Sequence, residues 1–125
     1  MRINEKGVKI MIKKSASFNT DLRENMRGGD GVIEVTNFIT EEELNNKGRL
    51  FGKLVIKPGC GIGYHVHEHD AELFYVVKGC AVYSDNGEEK PLCAGDLAIC
   101  PCGTGHSVKN EGTEDVELIA LIVFE

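Results

Sequence analysis

Short β-rich runs, each closed by a turn residue, set the strongest limit on what this chain folds into. Val8–Ile12 and Ile33–Thr36 alternate apolar and other residues. Leu50–Lys57, Tyr64–His67, Leu73–Val77, Cys80–Ser84, Leu97–Pro101, Ser107–Lys109 and Val116–Phe124 follow, bounded by Gly, Asn, Asp or Pro. Strand-like runs at this spacing predict an all-β sandwich or barrel. The 15 glycines among 125 residues fall between the runs instead of gathering in one linker, as turn positions do. Asn86-Gly87 predicts a type I′ hairpin, whose two central residues both need positive φ. Thr40-Glu41-Glu42-Glu43 fits a capping box, but the helical pattern ends at Asn45-Asn46-Lys47-Gly48, so one helical turn is expected there. The polar, glycine-rich stretch Asn19–Gly31 is expected to be a loop. The chain is thus divided into an N-terminal arm and loop, 1–31, and a β-barrel, 32–125.

Size and charge narrow the function. A chain of 125 residues suits one domain with a real core. The longest apolar run, Leu118–Phe124, falls far short of the ~20 residues of a membrane-spanning helix. Residues 1–14 carry several lysines and no apolar core of a leader. Fourteen Lys and Arg against 20 Asp and Glu give a net charge of -6, which disfavours a nucleic-acid surface. A cytoplasmic protein with neither nucleic-acid nor membrane partners is expected. The five cysteines, Cys60, Cys80, Cys93, Cys100 and Cys102, are an odd set without an export signal. They are expected to be free thiols. The first 30 residues carry a net +3 and the rest a net -9. The amphipathic segment Val8–Lys13 offers a strand edge for pairing with a second copy, and a homodimer is expected.

The histidines carry the chemistry. His65 and His67 are two apart, so on a strand both side chains share a face. Two imidazoles side by side are poor core filler but good neighbouring ligands for one metal. A short turn over Glu68–Ala71 would bring Glu72 back beside them, and His106 is free to join from a distant strand. Phe74 and Val76 share Glu72's parity and should line the barrel interior, whereas Tyr75 should face the other side. Tyr64 has the opposite parity to His65. His69 is expected in a loop, and Asp96 in a turn where its carboxylate bonds backbone. Arg27, within Arg27-Gly28-Gly29-Asp30-Gly31, is a candidate clamp for a substrate carboxylate, with Arg49 a weaker one.

Two spaced motifs identify the family that this chain resembles. Gly59, five residues, His65-Val66-His67, four residues, Glu72, six residues and Gly79 form the first. Gly95, five residues, Pro101-Cys102-Gly103, two residues, His106, three residues and Asn110 form the second. Both match the cupin motifs, and the chain resembles the small single-domain cupins, including the metal domains of oxalate-decarboxylase-type proteins. The resemblance implies a double-stranded β-helix, the jelly-roll barrel. It also implies one divalent transition ion (Mn, Fe, Ni, Co, Cu or Zn) held by His65, His67, Glu72 and His106. Imidazole and carboxylate donors suit any of these ions. A centre of that kind favours a small anionic or oxygen-rich molecule: a carboxylate, keto acid or enol. An enzyme of dioxygenase or decarboxylase type is the first function expected, and a non-catalytic, metal-dependent binding or sensing module the second.

Overall fold

The computed structural model describes residues 11–125 and the backbone of Arg2–Ile3 and Lys9–Ile10. Among the described residues twelve strands run in chain order: β1 (Arg2–Ile3), β2 (Lys9–Ile10), β3 (Thr20–Glu24), β4 (Val32–Asn37), β5 (Gly48–Ile56), β6 (Gly61–Val66), β7 (Asp70–Lys78), β8 (Cys80–Asp85), β9 (Glu88–Cys93), β10 (Leu97–Cys100), β11 (Gly105–Lys109) and β12 (Val116–Phe124). β1 and β2 pair with each other. The rest form a six-stranded sheet, β10-β7-β12-β5-β4-β3, and a four-stranded sheet, β6-β11-β8-β9. Every pairing is antiparallel. This is the all-β architecture that the spacing of the apolar runs predicted.

Alternation decides which face each strand buries. In β5, Leu50, Leu54 and Ile56 turn inward, and in β12 Val116, Leu118, Ala120 and Ile122 do so. Ile33 and Val35 of β4 and Phe74 and Val76 of β7 complete that sheet's inner layer. Ile62, Ala81, Tyr83, Leu92 and Val108 answer from the four-stranded sheet. Asn110 is the polar exception, buried but satisfied: its Nδ2 donates to the Ile56 carbonyl at 2.8 Å and the Glu114 carbonyl at 2.7 Å. It ties the end of β11 to β5.

Local signals hold where the sequence carried them. Asn86 and Gly87 have φ of 52° and 101° and turn β8 into β9. The capping box closes in both directions: Thr40 Oγ1 accepts from the Glu43 amide at 3.1 Å, and Glu43 Oε1 from the Thr40 amide at 2.9 Å. One turn follows, and Asn45 and Asn46 end it with φ of 56° and 57°. Among the described residues no helix is long and apolar enough to cross a membrane.

Four expectations are corrected. Asn19–Gly31 is not all loop: Thr20–Glu24 form β3, which pairs along β4. All five of its residues are exposed, so no inward apolar alternation advertised it. β9 was also missed, because its Glu88-Glu89-Lys90-Pro91 is polar and contains a proline that only an edge strand tolerates. Finally, the cysteines are not all free thiols. Cys80 and Cys93 sit directly opposite each other in the β8–β9 pair and are bonded, while Cys60, Cys100 and Cys102 remain free. The alternating run Val8–Ile12 proves to be strand only at Lys9–Ile10; Val8 lies outside the described residues.

Candidate metal centre

Both sheets contribute to one inward-facing cluster. His65 on β6 and His106 on β11 are directly opposite each other in the four-stranded sheet. Glu72 on β7 faces them from the other sheet, between Cys100 of β10 and Ile122 of β12. His67 lies just past the end of β6. Its amide donates to the Thr104 carbonyl at 3.0 Å, and its carbonyl accepts from Gly103 at 2.6 Å. His67, Glu72 and His106 are buried and His65 is half-buried.

Donor spacing shows what this cluster can hold. His67 Nε2 is 3.1 Å from His106 Nε2 and 3.1 Å from Glu72 Oε1. His106 Nε2 is 3.2 Å from His65 Nε2 and 3.0 Å from Glu72 Oε1. All four donor atoms lie within 4.8 Å of one another. Ligands at the ~2.1 Å typical of imidazole and carboxylate bonds to a first-row ion are ~3.0 Å apart across a right angle. The observed separations therefore match the edges of a coordination shell.

The outer partners fix which ring nitrogen faces inward. His65 Nδ1 is 2.8 Å from the Gly63 carbonyl, His67 Nδ1 is 2.7 Å from Asp70 Oδ1, and His106 Nδ1 is 2.9 Å from the Tyr83 hydroxyl. With hydrogen on Nδ1, each ring donates outward and presents its Nε2 lone pair to the centre, the arrangement found around ligating histidines. The phenylalanine ring of Phe74 stacks on His106 with centroids 5.0 Å apart and an interplanar angle of 18°. Asp70 is itself held by Arg49 Nε at 3.1 Å.

Electrostatics favour the donor forms of Glu72 and His65. Burial acts to raise the Glu72 pKa, but the polar contacts with the His106 and His67 imidazoles outweigh it and hold the carboxyl below its usual range. Burial pushes the His65 imidazole down, towards the neutral form, and the nearby His106 and His67 add to this. The Glu72 hydrogen bond, opposed by burial and supported by Asp70, pushes His67 up. Burial likewise keeps the Tyr83 phenol neutral, with its pKa well above the usual value.

Glycine brings a loop onto the site. The turn Met26–Gly28 lies against β6 so closely that a Cβ at Gly63 would strike the Arg27 carbonyl, and one at Gly29 the Gly61 carbonyl. Arg27 takes a left-handed conformation, φ 54° and ψ 30°. This packing makes Arg23, Met26 and Arg27 walls of a cavity of about 240 Å³ that opens on His65, His67 and Glu72.

The structure thus brings together the four side chains singled out from the sequence and adds Arg27 to the cavity wall. Arg49 reaches the cavity as well, with its guanidinium on Asp70. His69 is an exposed turn residue with φ 68°, and its Nδ1 lies 3.5 Å from Glu125. Asp96 accepts from the Cys93 amide at 2.9 Å, as a turn residue should. Tyr75 faces outward and Tyr64 is exposed. Asp70, Tyr83 and Arg23 were not foreseen. Asp70, three residues after His67, was open to reading as a histidine's partner; Tyr83 and Arg23 depend on register between distant strands.

Asp70→Asn is expected to weaken divalent-metal binding by about 10–100-fold while leaving the fold intact. The amide offers its carbonyl to His67 but loses the charge that sharpens the donor. Chelator competition beside circular dichroism checks this; unchanged affinity would remove Asp70 from the account.

Comparison with known proteins shows the family. Residues 52–124 match the family model for the cupin domain. The chain is 36% identical over 113 residues to the oxalate-binding protein of Thermotoga maritima, covering 90% of this chain and 93% of that protein. A crystal structure from Thermotoga maritima described as a predicted oxalate decarboxylase superposes with a TM-score of 0.88 at 36% identity, covering 92% of this chain and all of that one. A shorter match, 36% over 67 residues, is to the mannose-1-phosphate guanylyltransferase of Salmonella typhimurium; it spans 54% of this chain but 14% of that enzyme.

Proposed function

The chain belongs to the cupin domain family, and on that premise we propose that it holds one divalent transition ion and with it binds a small carboxylate such as oxalate. His65, His67, Glu72 and His106 are the ligands in this reading. The observation that carries it is the set of four donor separations of 3.0–3.2 Å, with each imidazole's outer nitrogen already partnered. A bound divalent ion supplies Lewis acidity and, beyond four protein donors, room for a carboxylate or keto-acid oxygen. The protein's own part is to orient the anion. Arg27, on the cavity wall beside His65, offers a planar pair of donors to a carboxylate. The oxalate-binding relative supports a small anion as the ligand.

Binding is the better-supported half of the reading, because among the described residues Glu72 is the one carboxylate that lines the cavity. With that group committed as a ligand, the described walls offer no second acid to hand a proton to a substrate. Metal-loaded protein titrated with oxalate in a calorimeter is expected to bind one anion per chain and to return it unchanged on product analysis. Consumption of oxalate would move the protein to the lyases or oxygenases, and absence of binding would refute the carboxylate reading.

We propose the outer face of the six-stranded sheet as the surface on which a homodimer would form. Tyr75, Val77, Leu97, Ile99 and Phe51 are each between 40% and 55% exposed there. Leu97 pairs with Tyr75, Ile99 with Leu73, and Leu121 with Leu73 and Phe51, so the patch is continuous across four strands. A contiguous exposed apolar patch of this kind is where protein–protein contacts form. A second copy, related by a twofold axis, is the occupant proposed. Light scattering is expected to give twice the 13.7 kDa chain mass, and Leu97→Lys with Ile99→Lys to give the chain mass. A wild-type monomer would refute the dimer, and a dimeric double variant would move the contact elsewhere, the arm Val8–Lys13 included.

A further inference from the structure

We infer that the loop Asn25–Gly31 is a rigid arm seated on a bulge of β6, and that this one joint positions both Arg27 for the anion and His65 for the metal. Gly29 and Gly63 are its positioning residues. The inference rests on the metal-and-carboxylate reading and adds how the two halves of that site are held together.

The joint starts from the register of β6 against β11. His65 faces His106 and Ile62 faces Val108, so Gly63 and Tyr64 together stand opposite Ser107. One extra residue on a strand is a β-bulge, a device that re-aims side chains beside sites. Here it turns both Ile62 and His65, three residues apart, towards the interior. Gly63 also supplies the carbonyl 2.8 Å from His65 Nδ1. His67 and His106 are held instead by the side chains of Asp70 and Tyr83. Of the three rings, His65 is the one that depends on this peptide.

The arm is built to lie on the bulge. It closes on itself: the Asn25 amide donates to the Gly31 carbonyl, the Gly28 amide to Asn25 and the Gly29 amide to Met26, each at 2.9 Å. Met26 packs on the core, and the Gly61 amide donates to the Asp30 carbonyl at 2.9 Å. Gly29 has φ -76°, which any residue adopts. Contact is what calls for glycine there, since a Cβ would strike the Gly61 carbonyl and the Gly63 amide. Arg27 is the reverse case. Its φ of 54° and ψ of 30° would suit glycine better. A side chain held in such a conformation marks a place where the side chain is used. Its guanidinium lines the cavity, and its charge acts on His65. A donor fixed in advance loses less freedom when an anion binds.

Variants of the joint test this in protein loaded with Mn2+. Gly29→Ala lifts the arm without altering β6, and is expected to weaken oxalate binding in a calorimeter by about tenfold or more. Gly63→Ala disturbs the carbonyl as well, and is expected to weaken Mn2+ binding by about 10–100-fold in chelator competition. Gly52→Ala is the control, because a Cβ there would strike the Thr36 carbonyl of β4, outside the cavity. It should lower the melting temperature and leave both affinities as in wild type. Arg27→Gly should bind oxalate about tenfold more weakly, yet melt at or above the wild-type temperature. A merely structural arginine would not give that split. Wild-type oxalate affinity in Gly29→Ala, or an Arg27→Gly protein that melts lower and binds oxalate unchanged, would overturn the arm. Wild-type Mn2+ affinity in folded Gly63→Ala would overturn the joint, and Gly29→Ala decides should Gly63→Ala fail to fold. If wild type takes up Mn2+ but no oxalate, the carboxylate reading fails, and the Mn2+ measurement still decides whether Gly63 positions His65.

Discussion

Replacing Glu72 by glutamine is expected to lower divalent-metal affinity by at least about 100-fold. Glu72 is the one negative donor of the four, and it is buried among three imidazole nitrogens. The amide keeps the shape and one oxygen but removes the charge that offsets a dication in a low-dielectric site. Changes to residues that merely support ligands already cost 10–100-fold, so a direct ligand should lie at or beyond the upper end. Competition against a chromophoric chelator measures it, and thermal unfolding of the metal-free variant serves as the folding control. Wild-type affinity in a folded Glu72→Gln protein would mean that the carboxylate is not a ligand.

Phe74→Ala should cost about 3–5 kcal/mol of folding stability, the usual penalty for emptying a buried phenylalanine site. Phe74 is 2% exposed and lies between Ala98 of β10 and Ala120 of β12 on the six-stranded sheet. Neither alanine can expand into the space. The ring also lies flat against His106, at 18° between planes, and edge-on to Tyr83 at 6.2 Å. The cavity would therefore open behind the histidine and its hydroxyl partner. Metal affinity should fall with stability, whereas Ile56→Val, on the same sheet but in no contact with the cluster, should cost about 0.5–1.5 kcal/mol and leave metal binding unchanged. Denaturant unfolding gives the first number and chelator competition the second. A loss below about 1 kcal/mol for Phe74→Ala would show that the core is not organised around this ring.

How much of this was legible in the sequence follows from what each signal depends on. His65, His67, Glu72 and His106 were found because two spaced motifs hold them, and because period-two alternation puts His65 and His67 on one side of a strand. The inward strands announced themselves by apolar alternation; Val116–Phe124 runs over the same nine residues in the structure as in the sequence. Edge strands gave no such signal, since β3 buries nothing and β9 buries chiefly Leu92. Arg23 therefore stayed hidden: its place at the cavity depends on an edge strand whose residues are all exposed.

The cysteine pair was within reach. Once Asn86-Gly87 is taken as a two-residue turn, Asp85 faces Glu88, and counting back puts Cys80 opposite Cys93. Compartment and parity of the cysteine count pointed the other way, but register is the more local constraint. Asp70 illustrates a different gap. Its function as a partner of His67 and Arg49 arises from a turn at Glu68-His69, where His69 takes positive φ. The spacing from His67 hints at the pairing, but the turn that completes it carries no side-chain pattern of its own.

The central claim is that three imidazoles and one carboxylate hold a single cation between the two sheets. Titration of metal-stripped protein with Mn2+ or Zn2+ in a calorimeter, beside elemental analysis of the loaded sample, tests it most directly. One ion per chain, lost when His65 and His106 are both changed to alanine in protein that remains folded, is the result expected. No uptake by the intact chain, or full uptake by the double variant, would contradict it.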